Sequence, residues 1–356
     1  MGGFSKLAIM LDIEKRLGSF HLKVKLQAGN EVAALLGASG SGKSMTLKCI
    51  AGIERPDRGR IVVDEEVLFD SEKGINLSPQ KRRTGLMFQN YALFPNMTVE
   101  QNIYAGTKRY PDKAERKERT REIMETFELT ARAGYLPSQL SGGQQQRTAL
   151  ARILVSDPGI LMLDEPFSAL DSHLRFRMEQ EVGRIIQNYK KTVILVSHNR
   201  DEVFRLADKI AVMDQGQVDV YDEKSRVFAD PKTRSACMLT GCKNISSIRK
   251  IDERHVFACD WGLELETERE VADASYIGIR LHDIHGDAEP GKRNNSFTCD
   301  VVGVTENPFT YTVMLRLAGK AGLECFGWEM PKEQREGLRA GQVTVHIPPG
   351  AVMLLR

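Results

Sequence analysis

The segment Gly37-Ala-Ser-Gly-Ser-Gly-Lys43-Ser44 constrains the fold more than any other part of the chain. It follows a continuous apolar run, Glu31-Val-Ala-Ala-Leu-Leu36, and opens a stretch from Lys43 to Ile50 that reads as a helix, which Gly52 and Pro56 help to end. A glycine-rich turn between a buried strand and a helix start is the setting in which this spacing cradles phosphate. Its glycines let backbone N–H groups turn inward around phosphate oxygens, and the helix N-terminus adds positive potential. Lys43 is placed to reach the terminal phosphates, and Ser44 to offer a hydroxyl to Mg²⁺. Gly37, Ser39, Gly40, Ser41, Gly42, Lys43, Ser44 and Met45 are the expected nucleotide-binding residues.

A second apolar run, Ile160-Leu-Met-Leu163, ends in Asp164-Glu165. A buried strand that delivers two acids to its carboxyl end puts them where ligands gather in α/β sheets. Asp164 is expected in the Mg²⁺ shell and Glu165 is expected to polarise an attacking water, since phosphoryl transfer depends on positioning and charge stabilisation. Thr192-Val-Ile-Leu-Val196 is a third such run; continuous apolar strands of this kind belong to parallel sheets covered on both faces. Phe20, Leu22, Val24 and Leu26 alternate as on a half-buried strand, residues 60–63 and 67–69 read as a hairpin, and Thr84 to Gln89 as a further strand. Residues from about 90 to 155 are mainly helical by pattern.

At 356 residues, two domains are expected. Lys and Arg total 50 against 48 Asp and Glu, a net charge of +2, so bulk charge gives no argument for a nucleic-acid partner. The block from Lys113 to Arg121 is basic but broken by Glu115 and Glu118, as on a solvated helix face. No apolar run is long enough to cross a bilayer as a helix and residues 1–14 lack the layout of a signal peptide, so a cytosolic location is expected. The six cysteines are widely spread, which favours free thiols. After Asp222 a helical connector leads into short strands separated by Gly, Asn and Pro, including residues 276–281, 297–304, 311–317 and 343–347, a pattern that suggests a small all-β barrel.

Leu140-Ser141-Gly142-Gly143-Gln144 begins another helix, which stops before Pro158. Together with the phosphate loop, Gln89, Asp164-Glu165, Ser168-Ala-Leu-Asp171 and His198, taken in this order and spacing, it resembles the ATP-binding cassette across about residues 5–240. The resemblance implies an α/β P-loop NTPase with a mixed sheet core, an antiparallel β subdomain and a helical subdomain. It implies ATP and Mg²⁺ as cofactors, with Ser44, Gln89 and Asp164 at the metal and Glu165, His198 and Gln89 at the chemistry. Ser141, Gly142, Gly143 and Gln144, with Asp171, are implied to serve the nucleotide of a second copy, in a head-to-tail dimer. Residues 91–95 are implied to lie near the groove that grips a membrane subunit. The aromatic that stacks on adenine in many cassettes has no counterpart at residues 14–17. Phe20 fits strand alternation better, which leaves that role unassigned.

Residues 241–356 resemble the accessory β domain, of TOBE or MOP type, found on importer ATPases, chiefly through Ile277-Gly-Ile-Arg-Leu-His-Asp-Ile284. Residues 17–22, the phosphate loop and Thr240-Gly-Cys-Lys-Asn-Ile245 look most like molybdate-type importers; sulfate, tungstate and sugars are the other solutes to weigh. The implied partners are permease subunits and, through them, a substrate-binding protein, with the chain peripheral on the cytoplasmic face of the membrane. A cassette acting on ribosomes or DNA is disfavoured, because the chain shows neither two cassettes nor a long coiled-coil insertion.

Overall fold

Leu22, Val24 and Leu26 turn inward from β2 (Phe20–Ala28) while Lys23, Lys25 and Gln27 face out. The computed structural model describes residues 8–168, 170, 172–286, 293–333 and 341–356. Ile9, Leu11 and Ile13 repeat the alternation in β1 (Ile9–Leu17), which pairs antiparallel with β2 from Ile9↔Ala28 to Leu17↔Phe20. On its other side β1 carries β4 (Arg58–Val63), β5 (Glu66–Asp70) and β6 (Ile75–Asn76), all antiparallel. Past β2 lie β11 (Gln217–Glu223), β10 (Lys209–Asp214), β3 (Val32–Gly37), β9 (Thr192–Ser197), β8 (Ile160–Asp164) and β7 (Thr84–Met87). This makes one 11-stranded sheet in which β10, β3, β9, β8 and β7 run parallel to one another, while β10 meets β11 antiparallel. Every residue of β8 and β9 is buried, which is why their sequences are apolar without alternation.

Helix α1 (Lys43–Ala51) leaves the glycine turn directly and ends at Gly52, whose φ of +78° forms the left-handed cap. Arg82, 1% exposed, closes that end: its guanidinium donates to Cys49 O (2.7 Å), Ile50 O (2.9 Å), Leu77 O (2.8 Å) and Asn76 Oδ1 (2.8 Å). Between β7 and β8 the chain forms α2 (Val99–Ala105), α3 (Lys113–Thr126) and α4 (Gly142–Leu154), the helical insertion expected from the pattern. Helix α3 starts on the side chain of Asp112 and buries only Thr120 and Met124, so its charged block is a solvated face. Helices α5 (Ser172–Tyr189) and α6 (Arg200–Leu206) flank β9 in sequence.

The chain divides into compact units at Met1–Lys224 and Ser225–Arg356, not after residue 240. The connector helices α7 (Lys224–Ala229) and α8 (Arg234–Leu239) lie largely in the second unit for a physical reason. Arg280 donates to the carbonyls of Phe228 and Thr240, and Cys237 and Cys242 pack with Leu355. That unit has one sheet in the order β14-β13-β12-β15-β21 and another in the order β16-β20-β17-β18-β19. The first comprises β12 (Asn244–Lys250), β13 (His255–Ala258), β14 (Leu263–Glu266), β15 (Tyr276–Ile279) and β21 (Met353–Leu355); the second, β16 (His285–Gly286), β17 (Ser296–Glu306), β18 (Thr310–Leu317), β19 (Phe326–Pro331) and β20 (Gln342–His346). Their inner faces share one core that includes Trp261, Ile277, Val313, Phe326 and Val345, which makes the unit all-β and barrel-like. The strand expected to reach Leu281 ends at Ile279.

Candidate functional site

Four neighbouring parallel strands, β3, β9, β8 and β7, bring the expected residues to one edge of the sheet. Residues 37–44 leave β3, His198 follows β9, Asp164 ends β8 with Glu165 next, and Gln89 lies in the turn after β7. Ligands bind outside the carboxyl ends of such strands.

Within the loop, Gly40 and Gly42 take φ of +81° and +100°. At Gly37 a Cβ would come 2.5 Å from Met213 O and 2.6 Å from Ser41 Oγ, so only glycine fits. Lys43 folds back over the turn: its Nζ donates to Gly37 O (2.8 Å) and Ala38 O (2.7 Å). Burial lowers the pKa of this ammonium, against the opposing pull of the Glu165 and Asp164 carboxylates. No side chain caps the start of α1 and no acid lies in its first turn, so its free N–H groups suit an anion.

Ser44 Oγ donates to Asp164 Oδ1 at 2.8 Å. Burial raises the pKa of Asp164; the Ser44 bond works against that rise and the neighbouring Glu165 adds to it. A hydroxyl and a carboxylate converging beside an anion cradle are the hard oxygen ligands that Mg²⁺ takes together with phosphate, so these residues fit the metal. Gln89 is exposed and, among the described residues, no hydrogen bond joins it to Ser44 or Asp164. Glu165 has φ +46°, and its N–H donates to Val196 O (3.0 Å) across to β9. His198 Nδ1 lies 3.1 Å from Glu165 Oε1.

Ser141 is the N-cap of α4, in a capping box: Ser141 N–H donates to Gln144 Oε1 (3.0 Å) and Gln144 N–H to Ser141 Oγ (3.4 Å). Gly142 and Gly143 form the first helical residues. Among the described residues no hydrogen bond joins 141–144 to the phosphate loop, although Gln146 Nε2 ties α4 to Pro166 O (3.3 Å), just past Glu165. Asp171 lies outside the described residues. Tyr91 and Ala92 are both left-handed, and their carbonyls accept from Arg152, while Phe94 nearby is 46% exposed.

One lining surface escapes the sequence reading. Phe20 and His21, with Ala38 to Ser41, Asp214, Gln215 and Gln217, bound a cleft of 470 Å³ beside the loop. A Cβ on Gly42 would meet the ring of Phe20 at 3.2 Å, so this aromatic stands against the loop despite its place in strand alternation. A larger cleft of 860 Å³ lies on the antiparallel strands, lined by residues such as Asp12, Lys25, Arg58 and Arg60, and includes none of the expected site residues.

The family model for ABC transporters matches residues 20–168. The chain is 41% identical over 224 residues to the molybdenum import ATP-binding protein ModC of Paramagnetospirillum magneticum, a match covering 63% of this chain and 61% of that protein. It therefore spans less than two thirds of that relative's length. It is 32% identical over 327 residues to the sulfate/thiosulfate import ATP-binding protein CysA 2 of Chromobacterium violaceum, covering 91% of this chain and 87% of that protein. The spermidine/putrescine import ATP-binding protein PotA of Bacillus cereus is 40% identical over 216 residues, covering 60% of this chain and 64% of that protein. Among solved structures, a dimeric ATP-binding cassette in a post-hydrolysis state, bound to ADP and Pi, aligns with a TM-score of 0.51 and 29% identity over 61% of this chain and 98% of that one.

Proposed function

Because the chain belongs to the ATP-binding-cassette transporter family, we propose that it is the ATP-hydrolysing subunit of an importer, working as a dimer beneath membrane permease subunits. The observation that carries this reading is the gathering of residues 37–44, Asp164, Glu165 and His198 at the carboxyl ends of adjacent parallel strands. The phosphate loop and the open start of α1 bind the phosphates of ATP, with Lys43 turning from the loop carbonyls toward them. Ser44, Asp164 and Gln89 would hold Mg²⁺, which neutralises phosphate charge when bound. Glu165 polarises the attacking water, and His198 keeps that carboxylate aimed. Ser141, Gly142, Gly143 and Gln144 cover the nucleotide of the second copy, which accounts for a glycine-rich helix start outside the loop's own edge. No helix among the described residues is long and apolar enough to cross a membrane, which supports a peripheral place at the cytoplasmic face. Phosphate release by the full chain with ATP and Mg²⁺, lost in Glu165→Gln, tests the activity.

The solute is an oxyanion, molybdate first, delivered by a substrate-binding protein; the cassette's likeness to ModC supports it. Sulfate is the second reading, favoured by the CysA 2 match, which runs through both units of the chain. Uptake of labelled molybdate against labelled sulfate by the chain reconstituted with its permease separates the two.

A further inference from the structure

Glu202 is a carboxylate only 5% exposed that the reading above does not use. It sits in the first turn of α6, and its Oε2 accepts a 2.7 Å hydrogen bond from Ser197 Oγ. Ser197 Oγ in turn accepts from the N–H of Asn199 at 2.9 Å. The hydroxyl therefore bridges the residues immediately before and after His198, and Glu202 takes its only proton, which fixes its lone pairs toward Asn199. The other carboxylate oxygen faces α5, where Arg175 Nε, buried and without a hydrogen-bond partner, stands 3.9 Å away. Arg175 Nη2 donates to Leu170 O (3.0 Å), one residue before Asp171. A second buried carboxylate, Glu179, also neighbours Glu202 but is engaged by Arg205 Nε (2.9 Å) and Nη2 (2.6 Å), so the cationic groups acting on Glu202 are Arg175 and His198.

We propose that Glu202 is a positioning residue for ATP hydrolysis: through Ser197 it sets the turn that holds His198 against Glu165, and through Arg175 it joins that turn to the segment leading into Asp171. This rests on the ATPase reading and adds to it a buried support that touches neither nucleotide nor metal. Its geometry differs from that of a plain helix cap, since Asn199 Oδ1 already accepts from Asp201 and Glu202 N–H at the start of α6.

The test is steady-state phosphate release by the full chain with ATP and Mg²⁺. Ser197→Ala and Glu202→Ala are each expected to lower kcat about 10- to 100-fold, the scale set by small misplacement of a reacting group, with KM for ATP changed by less than about 3-fold. Glu202→Gln keeps an acceptor for Ser197 and is expected to retain kcat within about 5-fold. In a His198→Ala background neither alanine change lowers kcat further, because residues acting through one group are not additive. If Glu202→Ala fails to fold, Ser197→Ala carries the test. An unchanged kcat in Ser197→Ala, a loss confined to KM, or an equal loss without His198 overturns the proposal while the ATPase reading stands. A parent chain without turnover overturns both.

Discussion

His198 Nδ1 and Glu165 Oε1 face each other at 3.1 Å across the ends of two adjacent parallel strands, β9 and β8. The backbone fixes this meeting as firmly as the side chains do, because the Glu165 N–H is bonded to Val196 O two residues before His198. That bond ties the two strand ends together beneath the side-chain contact. The pair thus lies on different strand ends from the glycine-rich loop, which leaves β3.

Glu165→Gln is expected to bind ATP normally and to hydrolyse it about 100-fold or more slowly, since it keeps size and hydrogen bonding but loses the carboxylate proposed as the general base. With ATP and Mg²⁺ it should accumulate as a dimer in light scattering. Adding Ser141→Arg should break that dimer by bulk at the start of α4. A variant that stays monomeric, or a dimer indifferent to the change at Ser141, removes the two-copy site from the mechanism.

Lys43→Ala deletes the ammonium whose Nζ lies on Gly37 O and Ala38 O. Charge-assisted bonds contribute about 1.5–3 kcal/mol each, so ATP affinity should fall by about 10- to 100-fold or more. Fluorescent-nucleotide titration measures it, and unchanged affinity and turnover would count against the loop as the phosphate site.

Arg82→Ala should destabilise the first unit by about 3 kcal/mol or more, because four carbonyl or amide oxygens lose their donor in the interior. Arg82→Lys should recover only part, since an ammonium cannot reproduce the planar fork. The midpoint of urea unfolding reports both. Two variants indistinguishable from the parent would show that Arg82 does not hold the end of α1.

Burial raises the Glu202 carboxyl above its ordinary 4.5, although the Ser197 hydroxyl, the Arg175 charge and His198 work the other way and Glu179 adds to the rise. A raised carboxyl binds its proton more tightly in the folded chain, so stability falls as pH rises from 4.5 through the folded value. Glu202→Gln lacks this dependence. Urea unfolding at pH 5 and pH 7 should show the parent gaining on the glutamine variant at the lower pH; a gain at the higher pH reverses the sign assigned here.

The loop, the two acids and His198 are legible because each sits where an unbroken apolar run stops, and these three runs end on one edge of the sheet. β1, β10 and β11 are absent from the strands expected above. Ile9, Leu11 and Ile13 do alternate, yet nothing in one strand names its partners, and β1 pairs with both β2 and β4. Arg82 is illegible for another reason: an arginine in a basic stretch reads as surface, and its burial depends on carbonyls that α1 exposes only once folded. Phe20 hides in the same way. Its alternation is genuine, but its place at the first residue of β2 sets it against Gly42 in three dimensions.

The left-handed backbone of Glu165, φ +46°, sets two selective pressures against each other. A residue with a Cβ gives up about 1–2 kcal/mol to stand there, and glycine would not. A population of variants ranked by heat tolerance alone would drift toward glycine at position 165, and its hardiest members would lack the carboxylate proposed to polarise the attacking water. Melting temperature is therefore a poor proxy for a working copy of this chain.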